Sequence, residues 1–202
     1  MTASVISAPA HEEEFPTNTG ASNKKVAMWL FLGSDVLLFG ALISTYVLYR
    51  DRPYQLGPQR ADVFSIPYTS VSSFVLLMSS LTMVLALSAI RRGDHHRFRL
   101  WALATALLGA TFIGGQIFEF TSFVHKGLSL STNLFGSSFY VLTGFHGAHV
   151  TLGIVMLVTL FIRSLQGKLP TSHAENVETV GLYWHFVDVV WIVIFVVVYL
   201  IP

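Results

Sequence analysis

Seven polar side chains stand inside stretches of the chain that are otherwise apolar: Asp35, Gln116, Glu119, His146, His149, His185 and Asp188. Six of them fall into pairs spaced i, i+3, namely Gln116 with Glu119, His146 with His149 and His185 with Asp188. On a helix that spacing puts both members on one face. Such groups on neighbouring helices could ligate a metal, carry a proton or tie helices together through hydrogen bonds. A carboxylate-bridged di-metal bundle needs Glu-x-x-His twice and two further carboxylates. Here Gln116 stands three residues before Glu119, and no carboxylate neighbours His149 in sequence. Three readings stay open in this order: interhelical hydrogen bonding and packing, a proton- or lipid-linked role, and metal ligation. A heme would need axial histidines at matched depths on two helices. His146 or His149 could supply one, and His185, near the end of its span, matches poorly. Tyr183, Trp184 and Trp191 read as packing and interface aromatics, since no flavin or dinucleotide motif accompanies them. The chain has no Cys, which excludes disulfides, thiolate metal sites, iron–sulfur ligation, covalent heme attachment and thiol nucleophiles.

The elements that must position these groups are membrane spans. Hydrophobic residues make up 53% of the chain and charged residues 11%, more apolar surface than a soluble core of this size needs. Apolar runs long enough to cross about 30 Å of hydrocarbon lie at Val26–Tyr49, Tyr68–Ile90, Leu100–Val124, Leu134–Ile162 and Val180–Ile201. The expected fold is all-α, a polytopic bundle of five transmembrane helices over residues 26–202. Residues 1–25, with Glu12, Glu13, Glu14, Pro16 and Asn18, lack the order of a cleaved signal and read as a disordered N-terminal tail. The connections Arg50–Pro67, Arg91–Arg99, His125–Asn133 and Arg163–Thr179 are too short to fold separately. With the chain stopping at Pro202, no appended electron-transfer or ligand-binding module is expected.

Charge sets orientation here. The net charge of +1 gives no global field for nucleic acid, but the basic residues are uneven. Lys24, Lys25, Arg91, Arg92, Arg97, Arg99, Arg163 and Lys168 lie on one side, against Arg50, Arg52, Arg60 and Lys126 on the other. The positive-inside rule then places the N-terminus inside and the C-terminus outside. An ionisable group at membrane depth costs roughly 3 kcal/mol on insertion scales and is expected to find a partner. Asp35 is accordingly expected to pair with His149 or His146, and His185 with Asp188 in a local structural pair without metal. Arg163, directly after the apolar run ending at Ile162, can keep its stem in the apolar layer and bring its guanidinium to a headgroup phosphate. Its alternative role is that of one inside charge among several.

Five blocks carry a resemblance: G-S-D-V-L-L-F (Gly33–Phe39), Q-I-F-E-F (Gln116–Phe120), G-S-S-F-Y (Gly136–Tyr140), G-F-H-G-A-H-V-T-L-G (Gly144–Gly153) and Y-W-H-F-V-D-V-V-W-I (Tyr183–Ile192). In these blocks and their order the chain closely resembles subunit III of heme–copper terminal oxidases, in its short five-helix bacterial form. The resemblance implies a noncatalytic subunit without cofactors of its own, in the bacterial cytoplasmic membrane. Its partners would be catalytic subunit I, subunit II and phospholipids, with hemes and copper held by the partner subunits. It further implies two helix groups around a lipid-filled cleft, a lipid-binding Arg at the position of Arg163, and support of proton uptake in the catalytic partner. The family's carboxylate in the first block is commonly Glu in cytochrome c oxidases, so Asp35 leans towards a quinol oxidase. Phe145 and Gln116 lean towards a cytochrome c oxidase, the favoured reading. A stand-alone proton-coupled transporter is the competing class, against which stand the lack of an even inverted repeat and of any span broken by a mid-helix Pro. A membrane metalloenzyme using His146, His149 and Glu119 is the other.

Overall fold

The computed structural model describes residues 22–51, 57–58 and 64–201. Residues 1–21 of the expected tail, and with them Glu12, Glu13, Glu14, Pro16 and Asn18, lie outside the described residues, as do Arg52, Arg60 and Pro202. Five long helices follow in order: α1 (Asn23–Tyr49), α2 (Ile66–Arg91), α3 (His95–His125), α4 (Leu134–Leu165) and α5 (Ala174–Phe195). A 3-10 turn, Thr171–His173, precedes α5 and a π-helical turn, Val196–Leu200, continues it. All five are long and apolar enough to cross a membrane.

Four helices, α1, α2, α3 and α5, begin earlier than the apolar runs, α1 and α3 because capping residues stand outside the hydrocarbon-like sequence. Ser22 accepts the backbone N–H of Lys25 and starts α1 at Asn23, so Lys24 and Lys25 belong to its first turn. Asp94 accepts the N–H of Arg97 at 3.0 Å and starts α3 at His95, not Leu100. The expected loop Arg91–Arg99 shrinks to three residues, 92–94, with Gly93 at φ +75° making the reversal that a residue with a Cβ resists. α5 starts at Ala174 instead of Val180. α4 begins as expected, at Leu134, with Asn133 accepting from Gly136 N–H at 2.7 Å.

Packing makes a ring of four helices: α2 against α3, α3 against α4, α4 against α5, and α5 back against α2. α1 lies on the α4–α5 seam and buries one stripe, Leu32, Asp35, Phe39 and Tyr46. Its other faces expose Leu30 (72%) and Leu37 (76%), surface suited to lipid or a partner helix. Lys25 of α1 and Arg91 of α2 both reach Glu178 of α5, at 2.9 and 2.8 Å, and hold the basic end together. At the other end Arg50 donates to the Val197 carbonyl at 3.3 Å.

Trp184 is 1% exposed and fixes the centre. Its ring lies where two glycines allow close helix approach. A Cβ at Gly109 of α3 would stand 2.5 Å from its Cη2, and one at Gly153 of α4 would stand 2.7 Å from its Cε3. Gly153→Val should therefore destabilise the folded subunit by about 1–3 kcal/mol through overpacking. Thermal unfolding of the purified protein measures this. Adding Trp184→Phe should recover part of the loss, because the smaller ring leaves space at both glycines.

Candidate functional site: four buried polar clusters

The first cluster joins α1, α4 and α5. Asp35 is buried, and its Oδ2 lies 3.6 Å from His149 Nε2. His149 Nδ1 stands 2.8 Å from the carbonyl of Phe145. A carbonyl only accepts, so Nδ1 carries the hydrogen of that bond. The pair then holds one variable proton, either on the Asp35 carboxyl beside a neutral imidazole or on Nε2 beside a carboxylate. Tyr183 of α5 donates to the His149 carbonyl at 2.9 Å, and Phe39 turns its ring edge to the imidazole at 5.1 Å.

His146 is not part of that pair. It is fully buried, stacked on Trp191 with ring centroids 4.9 Å apart and edge-on to Phe112 at 5.9 Å. Neither ring nitrogen has a hydrogen-bond partner among the described residues. Three residues advance a helix by 300°, so two side chains on one broad face can still point at different neighbours. Of the two histidines expected as candidates for Asp35, His149 meets it and His146 enters the four-helix ring.

Gln116 and Glu119 part in the same way. Gln116 donates through Nε2 to the Thr143 carbonyl of α4 at 2.8 Å. Its side chain fits because residue 147 is glycine: a Cβ there would stand 2.7 Å from Gln116 Oε1. Glu119 turns to α2 and accepts from Thr69 Oγ1 at 2.5 Å. Tyr199, on the π-helical turn, is buried near the same Thr69.

The expected His185–Asp188 pair is bridged rather than direct. Ser80 of α2 donates to Asp188 Oδ2, and His185 Nδ1 lies 3.0 Å from the same Ser80 oxygen. One turn either way, Trp184 Nε1 donates to Ser79 at 2.9 Å and Trp191 Nε1 to Ser73 at 2.8 Å. Both indoles are thus interior packing groups and not interface anchors. The serines and Thr69 escaped sequence reasoning. Their signal was the polar run inside an apolar span, Ser72, Ser73, Ser79, Ser80 and Thr82, since small hydroxyl residues at membrane depth serve as interhelical contacts.

Arg163 is exposed in the last turn of α4. The same helix end is closed by a different arginine, Arg99 of α3, which donates to Ser164 Oγ at 3.0 Å and to its carbonyl at 2.7 Å. Among the described residues no group of three or more His, Asp or Glu side chains converges in a way that could hold a metal.

The family described as cytochrome c oxidase subunit III matches residues 11–201. The cytochrome c oxidase subunit 3 of Bacillus sp. (strain PS3) is 41% identical over 192 residues, covering 95% of this chain and 92% of that one. The quinol oxidase subunit 3 of Bacillus subtilis (strain 168) is 38% identical over 187 residues, covering 93% and 91%. The cytochrome c oxidase subunit 3 of the same strain is 38% identical over 179 residues, covering 88% and 86%.

Contact between Asp35 and His149 predicts non-additivity. Asp35→Asn and His149→Gln should each lower the unfolding temperature of the purified protein, and the double variant should lose less than the sum, by about 0.5–3 kcal/mol. Additive losses would mean that the two groups do not interact.

Proposed function

Because this chain belongs to the cytochrome c oxidase subunit III family, we propose that it serves a proton-pumping heme–copper oxidase that takes electrons from cytochrome c, and that it holds phospholipid against the catalytic subunit. It is a multi-pass, noncatalytic subunit of a respiratory terminal oxidase complex, which implies subunits I and II as partners. The hemes and copper that reduce oxygen to water belong to those partners.

The observation that carries the reading is the combination of an exposed apolar girdle with polar groups turned inward. Leu37 on α1, Val71 on α2 and Phe118 on α3 are 76%, 66% and 65% exposed, whereas Asp35, Glu119, His146 and Asp188 are buried. Such a chain offers its surface to lipid and neighbouring subunits and uses its ionisable groups internally. Orientation with the N-terminus inside follows from the basic end, which carries Lys24, Lys25, Arg91, Arg92, Arg97, Arg99, Arg163 and Lys168. The bacterial cytoplasmic membrane is the corresponding location.

Phe145 and Gln116 favour cytochrome c as donor, and Asp35 favours the alternative, a quinol. Isolating the complex through this chain decides between them. Heme absorbance should co-purify, and the complex should oxidise reduced cytochrome c. Quinol oxidation without cytochrome c oxidation would establish the alternative, and solute flux by the chain without any heme partner would establish a transporter.

Lipid holding is assigned to a cleft between helix groups and to Arg163. Its guanidinium makes no hydrogen bond or ion pair with another side chain among the described residues, and it stands where Phe161 and Ile162 end the apolar run. Arg163→Gln should leave insertion and assembly intact, reduce co-purifying phospholipid and shorten the active life of the oxidase during turnover. Unchanged lipid content and lifetime would leave Arg163 only its part in orientation.

A further inference from the structure

The α2–α5 seam contains a buried acid with one carboxyl oxygen left over from its packing contacts. Asp188 is 3% exposed, and its Oδ1 has no hydrogen-bond partner among the described residues. A carboxylate left in that condition is costly, and a protonated carboxyl is far less so. A route by which a proton could reach it is present. Met83, Leu87, Arg91, Glu178, Gly181, Leu182 and His185 line a cavity of about 190 Å³ between the two helices, room for more than one water. At the basic end of the bundle this cavity is bounded by the Arg91–Glu178 ion pair, whose side chains are 55% and 26% exposed. At its deep end stands His185, whose Nδ1 is engaged with Ser80, and Ser80 is engaged with Asp188.

We propose that this seam is a proton-binding site loaded from the basic end, in which water in the cavity protonates His185 and Ser80 passes the proton on to Asp188. The hydrogen-bond directions allow it. A serine that donates its hydroxyl hydrogen to Asp188 Oδ2 can accept only on oxygen, so His185 presents Nδ1–H to it and keeps a lone pair on Nε2. A cavity hydronium gives its proton to Nε2 and becomes water. Nδ1–H then moves to Ser80 Oγ while the Ser80 hydroxyl hydrogen moves to Asp188 Oδ2. The products are a neutral Nε2–H imidazole, an intact hydroxyl and a protonated carboxyl, one proton in and one bound.

The charged groups around the route are few. Lys25 of α1, Arg91 of α2 and Glu178 of α5 form the mouth. From α3, Thr105 meets Thr82 of α2 at 2.8 Å and carries no charge, and Glu119 meets Thr69 near the other end of α2. From α4, His146 stacks on the Trp191 indole and His149 pairs with Asp35. The proposal concerns this chain's own residues and does not depend on the electron donor.

The test is infrared difference spectroscopy on the purified complex in nanodiscs as pH is cycled, with the probe being the proton itself. A carboxyl C=O band that shifts in D2O should grow on acidification and vanish in Asp188→Asn. If that variant fails to assemble, Asp188→Glu should move the band instead. After a rapid pH jump, His185→Phe should slow growth of the band by roughly a hundredfold. Gly181→Leu, filling the cavity, should slow it without abolishing it. A complex with no titrating carboxyl band, a band indifferent to both Asp188 variants, or equal rates in wild type and His185→Phe would each overturn the proposal. Heme absorbance recorded on the same samples reports the oxidase assignment separately.

Discussion

Four side chains of α5 reach three serines of α2: Trp184 to Ser79, Trp191 to Ser73, and His185 and Asp188 both to Ser80. In an apolar surrounding, helices gain nothing from burying leucine against leucine that lipid would not also give, so specific polar contacts and close packing must select the partner face. Serine suits the role, being small enough for approach and able to accept an indole N–H while returning its own hydrogen to its helix. Ser73 and Ser79 do so, donating to the carbonyls of Thr69 and Leu76. The register of α2 on α5 depends on this seam, and the seam places Trp184 against Gly109 and Gly153. α3 and α4 are located by the same ring that locates α2.

α1 is held differently. It touches the ring through Asp35, Phe39 and Tyr46 in its interior and through Lys25 at its end. An ion pair at the partly exposed basic end contributes little by itself, so the buried contacts of Asp35 and Phe39 with His149 carry more of the docking. The arrangement ties the position of one helix to the contact between a carboxyl and an imidazole.

The existence of five spans was legible because length and apolarity alone define a crossing, and those properties are local. The polar candidates were legible for the same reason: Asp35, Glu119 and Asp188 are conspicuous wherever they fall within an apolar run. Their partners were not, since partner choice depends on helix rotation. His146 and His149 differ by less than a full turn, yet one stacks on Trp191 and the other meets Asp35. Ser80 was invisible as the bridge between His185 and Asp188 because its importance comes from another helix. Boundaries failed where caps lay beyond the apolar residues, as Asp94 does for α3. The π-turn at Val196–Leu200 left no sign in its uniformly apolar sequence.

The buried polar groups connect along one seam without forming a continuous path through the bundle. From the basic end the chain of hydrogen-bonding groups runs through His185 and Ser80 to Asp188. At the opposite end a separate pair joins α2 to α3, Thr69 donating to Glu119. Between them lies Trp191, whose indole N–H donates to Ser73. An indole nitrogen has no lone pair with which to accept a proton, so the rung that joins the two helices there also ends the relay. His146, stacked on that indole with neither nitrogen bonded among the described residues, adds no bridge. The same residue types therefore do two jobs according to their hydrogen-bonding capacity. Serine with His and Asp can pass a proton along the seam, whereas serine with Trp can only hold it closed. A subunit that spans an energised membrane can in this way keep ionisable groups at depth while its core stays resistant to proton leakage.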